Sequence, residues 1–185
     1  MTPLLIIPDR SGSKRLPGKN TRMLCGKPLL QWTIDAAIES DIGKLAVSTD
    51  ILDIAPSVHN WRPPDLCRDD TPIGDVVKFV AASNRHRGPI IVLQPTSPLR
   101  TAKDIKAAWD LFTGNGSLAS YENVGKHQRL LTTNGAIWIL QDDQTGFYQD
   151  PHSIYLMPRE RSIDIDNEAD FLLAEAILDK RLNSG

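Results

Sequence analysis

The chain has 185 residues, 41% of them apolar and 24% charged, which suits one globular domain with a sizeable core. Its net charge of −2 argues against a nucleic-acid coat or a membrane surface as partner, and no run approaches the roughly 20 apolar residues of a membrane span. Cys25 and Cys67 make neither a disulfide framework nor a zinc pattern, and the short apolar start is not a leader, so a soluble, cytoplasmic protein is expected.

The first apolar run, Leu4 to Ile7, stops at Pro8 and predicts a buried strand of a parallel sheet. A loop rich in Gly, Ser and cations follows: Arg10, Ser11, Gly12, Ser13, Lys14, Arg15, Gly18, Lys19 and Asn20. In an open α/β sheet the loop leaving the first strand commonly lies over the ligand. Cations beside unhindered backbone amides suit a polyphosphate, because the former neutralise charge and the latter donate hydrogen bonds. Two familiar loops are excluded. Gly12 to Gly18 is one residue too long for a Walker A loop, with Asn20 in place of its Ser or Thr, and the dinucleotide pattern G-x-G-x-x-G has no match. A merely solvated basic loop is the alternative that composition leaves open.

Further along, Lys27-Pro28 is expected to begin a helix whose buried face carries Leu30, Ile34, Ala37 and Ile38. Residues 44–50 read as a strand and 51–59 as a short helix. Asp70-Thr71-Pro72 reads as the cap of a helix running to about Asn84. Pro89 to Leu93 is a third apolar strand, running into Gln94-Pro95-Thr96-Ser97-Pro98-Leu99-Arg100. Thr101 can cap a helix with Ile105, Ala108, Trp109 and Phe112 on one face. Short strands are expected at 117–121, 134–140 and 153–157, with a polar segment at 122–133 that carries Lys126, His127 and Arg129. The last helix is expected to bury Ala169, Leu172, Leu173, Ala176 and Ile177. Strands alternating with helices imply βαβ units, hence a mostly parallel sheet covered on both sides.

Polar residues follow each of the first three strands at the edge where such sheets bind ligands: Arg10 to Asn20, Ser48 to Asp50, and Gln94 to Arg100. Asp164-Ile165-Asp166 places two carboxylates on one face of an extended segment. That pair suits Mg²⁺, which is usually held by one or two carboxylates plus water and substrate phosphates. An acidic cap of the last helix is the plainer reading of the same residues. His59, His86, His127 and His152 show no metal-ligand spacing and read as surface histidines.

Several stretches together resemble the acylneuraminate cytidylyltransferases, or CMP-sialic acid synthetases. They are Pro8-x-Arg10-x-Gly12-Ser13-Lys14-x-Leu16-Pro17-x-Lys19-Asn20, Ser48-Thr49-Asp50, Leu93 to Arg100, Asn134-Gly135-Ala136-Ile137 and Ser162-Ile163-Asp164-Ile165-Asp166. The resemblance implies a Rossmann-like, three-layer α/β/α nucleotidyltransferase of the GT-A-like class, as a single domain over residues 1–185. It implies transfer of CMP from CTP to the anomeric hydroxyl of a nonulosonic acid, with release of pyrophosphate. By the same resemblance Arg10, Ser13, Lys19 and Asn20 bind the triphosphate, and Arg62 lies near the cytosine and ribose. Asp164 and Asp166 hold Mg²⁺, while Gln94, Asn134 and Trp138 line the sugar site. Arg10, Lys19 and the two aspartates form the catalytic set.

The chain departs from the pattern in three places. The segment between Ser117 and Asn134, which in the family forms much of a dimer interface, is shortened here, so a homodimer would need another surface. Pro72, Ile73 and Gly74 stand where a nucleotide-binding Ser is common, and Asp9 stands where Ala is usual. A CMP-Kdo-type or other sugar nucleotidyltransferase is the alternative enzyme, and a nucleotide-binding module without turnover is the alternative from another class.

Overall fold

The computed structural model describes residues 1–12, 16–51, 56–125, 130–143 and 150–184. Its centre is a seven-stranded sheet made of β1 (Leu4–Pro8), β4 (Lys44–Thr49), β5 (His59–Trp61), β6 (Ile90–Leu93), β7 (Ser117–Asn123), β8 (Leu131–Leu140) and β9 (Ser153–Leu156). The strand order is β5-β4-β1-β6-β8-β7-β9. β8 runs antiparallel to both its neighbours, and the other pairs are parallel. Two short strands, β2 (Met23–Leu24) and β3 (Lys27–Pro28), pair with each other just before helix α1 (Leu29–Ser40).

All five residues of β1 are buried, because helices cover both faces of the sheet. Leu5 and Ile7 point to the layer of α1 and α3 (Ala102–Leu111), whereas Leu4 and Ile6 point to α2 (Ile73–Ser83). A third cluster lies under α4 (Glu168–Asn183), where Phe171, Ala174 and Leu178 pack on Leu24, Leu29, Leu99 and Ile165. The parallel register, with Pro8 opposite Ser48 and Ile6 opposite Val92, brings the loops after β1, β4 and β6 to one edge.

Several local expectations change. Lys27 and Pro28 belong to the β2–β3 pair, and the helix starts at Leu29, with Ile38 at 59% exposure while Leu29, Thr33 and Ala36 complete its buried face. Of the expected helix at 51–59, residues 52–55 lie outside the described ones, and His59 opens a strand paired with β4. α2 has Pro72 at its cap and no side-chain cap bond, so Asp70 does not cap it. α4 buries Phe171, Ala174 and Leu178 and leaves Leu172 and Leu173 about half exposed. Its apolar residues are spread around the helix, so the pattern permits more than one face and the third cluster selects among them. Thr101 does cap α3, in a reciprocal box with Asp104.

Candidate active site

The loop after β1 is tied down by two aspartates. Asp9 is buried, and its carboxylate accepts hydrogen bonds from Asn20 Nδ2 at 2.5 Å and Thr49 Oγ1 at 2.7 Å. Its main-chain oxygen accepts from Arg62 Nη1 at 3.1 Å. Burial pushes the Asp9 carboxyl above its usual range, against the bonds from Thr49 and Asn20. Asp50 accepts from both the backbone N and the Oγ of Ser11, at 2.7 Å each. Thr49 and Asp50 thus anchor the loop rather than face a ligand. Asp9, which stands where Ala is usual in the family pattern, pins Asn20 to the sheet edge.

Beyond these anchors lies a cleft of about 410 Å³, with Arg10, Lys19, Asn20, Gln94, Thr96 and Asp166 among its walls. Gly18, at φ 67°, turns the chain into the 3₁₀ turn Lys19–Thr21. Lys19 is largely buried; its Nζ donates to the carbonyl of Ile165 and lies 4.0 Å from Asp166 Oδ1. Arg10 Nη1 meets Asp69 at 2.5 Å and the carbonyl of Cys67 at 3.4 Å. Its Nε and Nη2 carry no bond among the described residues.

Opposite the cationic loop runs the Asp164–Asp166 segment. Ile165 N donates to Thr96 O at 2.8 Å, and Asp166 N donates to Asp170 at 3.0 Å. With Ile165 buried between them, Asp166 lines the first cleft and Asp164 lines a neighbouring one of about 790 Å³. The Asp164 residue is exposed overall, but its carboxyl is crowded by protein. That desolvation raises its pKa; a hydrogen bond with Thr96 and the charge of Lys19 oppose the rise, and Asp166 and Asp170 add to it. Two carboxylates close enough to repel each other are a donor set suited to a hard cation. Among the described residues, no group of three or more His, Cys, Asp and Glu could hold a metal by itself.

The carboxylate segment is braced from behind. Asp104 is fully buried and accepts from Arg161 Nε and Nη2, both at 2.9 Å, and from Tyr155 Oη at 2.8 Å. Burial alone would raise the Asp104 pKa, but the bonds from Arg161, Thr101 and Tyr155 outweigh it and hold the carboxyl below its usual range. Asn134 sits where β8 bulges against β7. Its Oδ1 accepts from Ser120 Oγ at 2.6 Å, and its Nδ2 donates to Ser162 Oγ at 2.9 Å. Gly135, at φ 69°, makes the bulge, and buried Arg100 supports it through a 2.6 Å bond to the Ala136 carbonyl.

The structure therefore brings together Arg10, Lys19, Asn20, Gln94 and Asp166 around one cleft, and Asn134 and Asp164 around the next. Arg62 and Trp138 lie elsewhere. Arg62 is 4% exposed, with Nε and Nη2 on the Leu66 carbonyl at 2.9 and 2.6 Å, and Trp138 is 2% exposed in the core under α2. Ser13 lies outside the described residues. Sequence reasoning passed over Asp104 and Arg161, since a bond across 57 positions leaves no local signal.

A mostly parallel sheet between helices, with a cleft at its carboxyl edge that has Arg10, Lys19 and Asn20 opposite Asp166, is the architecture of a nucleotidyltransferase. A sequence model described as cytidylyltransferase matches residues 4–180, and the chain belongs to that family. It is 33% identical to an N-acylneuraminate cytidylyltransferase from Streptococcus agalactiae, over 93% of this chain and 52% of that protein. The chain thus spans about half the length of that relative. It is 32% identical to the CMP-N,N'-diacetyllegionaminic acid synthase of Legionella pneumophila, over 95% of this chain and 96% of that one. In fold it is similar to CMP:2-keto-3-deoxy-manno-octonic acid synthetase solved with CTP, with a TM-score of 0.77 and 15% identity, covering 98% of this chain and all of the other. Among the described residues no helix is long and apolar enough to cross a membrane.

Proposed function

We propose that this chain is a cytidylyltransferase that transfers CMP from CTP to the anomeric hydroxyl of a nonulosonic acid, such as sialic or legionaminic acid, and releases pyrophosphate. The observation that carries the reading is the first cleft, with Arg10, Lys19 and Asn20 on one wall and Asp166 on the other. Kinship with the Streptococcus and Legionella proteins supports the acceptor class. The triphosphate lies against the loop after β1, where the Arg10 guanidinium and the ammonium of Lys19 neutralise it. Asn20 belongs to the same triphosphate cradle, while buried Arg62 holds the loop at 62–67 through the Leu66 carbonyl.

The anomeric oxygen forms a bond to the α-phosphorus, the bond to the β-phosphate bridge breaks, and the hydroxyl proton leaves to a base. Little covalent chemistry falls to the protein. It aligns the two reactants and stabilises the charge that develops on the departing pyrophosphate. Asp164 and Asp166 would hold Mg²⁺, which when bound polarises the α-phosphate. Gln94 and Asn134 face the acceptor. The protein works in the cytoplasm, where CTP is supplied.

The test is pyrophosphate release from CTP and Mg²⁺ with a panel of nonulosonic acids and Kdo. Release with a nonulosonic acid is expected. Release with Kdo alone would move the acceptor to the octulosonic class, and CTP binding without release from any acid would overturn the reading.

A further inference from the structure

The acceptor proposed above carries a carboxylate, which needs a cationic partner in its pocket. The neighbouring cleft of about 790 Å³ is rich in acids: Glu122, Glu160, Asp164 and Asp170 line it. Arg159 is the one cation among the described residues of that lining.

The other described cations around the two clefts are engaged. Arg161 is held by Asp104, Lys19 by the Ile165 carbonyl, Arg10 by Asp69 and Arg22 by Glu168. Arg62 and Arg100 are buried on main-chain carbonyls. Arg159 is exposed, and its guanidinium makes no hydrogen bond or ion pair with the described residues.

Its placement is not accidental. Arg159 and Arg161 share one 3₁₀ turn, Arg159–Arg161, and the buried Asp104 captures Arg161 through two bonds. That capture fixes the turn, so Arg159 is left on the cleft wall, five positions before Asp164 on the same wall. An uncommitted guanidinium offers parallel N–H donors that match a carboxylate bidentately. The Glu122 carboxylate, likewise without a hydrogen bond or ion pair among the described residues, suits hydroxyl donors.

We infer that Arg159 binds the carboxylate of the acceptor, and that the cleft selects a polyhydroxylated keto acid over its uncharged analogues. The inference rests on the acceptor class proposed above. It makes Arg159 a specificity residue of the acceptor half-site, with no part in holding the nucleotide.

Two measurements test it, with N-acetylneuraminic acid and its methyl ester as probes. In steady state at saturating CTP, Arg159→Ala should raise KM for the acid about 10- to 100-fold, the range of a charged hydrogen-bonded contact, while KM for CTP stays within about twofold. Arg159→Lys should fall between, since an ammonium keeps the charge but loses the fork. In equilibrium binding followed by ligand-observed NMR, wild type should prefer the acid over the ester, and Arg159→Ala should abolish that preference. Acid binding that Arg159→Ala leaves unchanged would overturn this assignment alone. A wild type that binds no sugar acid would overturn the acceptor class and this assignment together.

Discussion

Asp104→Ala tests the brace behind the carboxylate segment. It removes a fully buried carboxylate that takes two bonds from Arg161 at 2.9 Å, one from Tyr155 at 2.8 Å, and two from Thr101, at 2.9 Å from N and 2.7 Å from Oγ1. Breaking a buried ion pair from one side costs about 3–5 kcal/mol, because the other charge stays behind without a partner. The Arg161 side chain is 27% exposed, so water recovers part of that loss and about 2–3 kcal/mol remains. Thr101 still caps α3 in this variant, and loss of the reciprocal half of the capping box adds about 0.5–1 kcal/mol. Urea unfolding at pH 7 should therefore show a lower midpoint at unchanged slope, corresponding to about 3–4 kcal/mol. In the Asp104→Ala background a further Arg161→Met change should cost little, which a double-mutant cycle reads as coupling of about 2 kcal/mol. A total loss below about 1 kcal/mol, or simple additivity, would refute the argument.

The pH dependence follows with a definite sign. The folded Asp104 pKa lies below the unfolded value, so its contribution is complete above about pH 4 and is lost as pH falls through the folded pKa. Burial, together with the bond to Asp104, pushes the Tyr155 hydroxyl up to about 12. Its contribution is complete below about pH 10 and is lost between pH 10 and 12. Asp104→Ala should flatten the acid limb of the stability curve.

Lys19→Ala should lower kcat by about 10²- to 10³-fold, because a preorganised positive charge at the leaving pyrophosphate is lost; activity within a few-fold of wild type would exclude that role. Asp166→Asn should abolish Mg²⁺-dependent pyrophosphate release and weaken Mn²⁺ binding measured by electron paramagnetic resonance, with the circular dichroism spectrum retained. Unchanged Mn²⁺ binding would refute its part in holding the cation. Gly135→Ala meets open space but keeps φ at 69°, so the cost is backbone strain of about 1–2 kcal/mol in urea unfolding. A neutral outcome would mean that the bulge can relax.

Much was legible in the chain itself. The apolar runs at Leu4–Ile7 and Ile90–Leu93 and the alternation of strands with helices carry the α/β class, because both faces of a parallel sheet must be buried. The cationic loop and the Asp164–Asp166 pair are short contiguous stretches, so their charge and their place at the sheet's carboxyl edge read directly from residue type and spacing. Tertiary structure decided what depends on residues far apart. Asp9 became an anchor only once Asn20 and Thr49 reached it, and Asp104 became a brace only once Arg161 arrived from 57 positions away. The buried face of α4 was chosen by the cluster beneath it, since its own leucines are spread around the helix. Local pattern specifies which element forms and which groups it carries. Which of those groups is held by a partner, and which stays uncommitted among the described residues, is settled by packing and hydrogen bonding across the chain, as Arg161 and Arg159 on one short turn show.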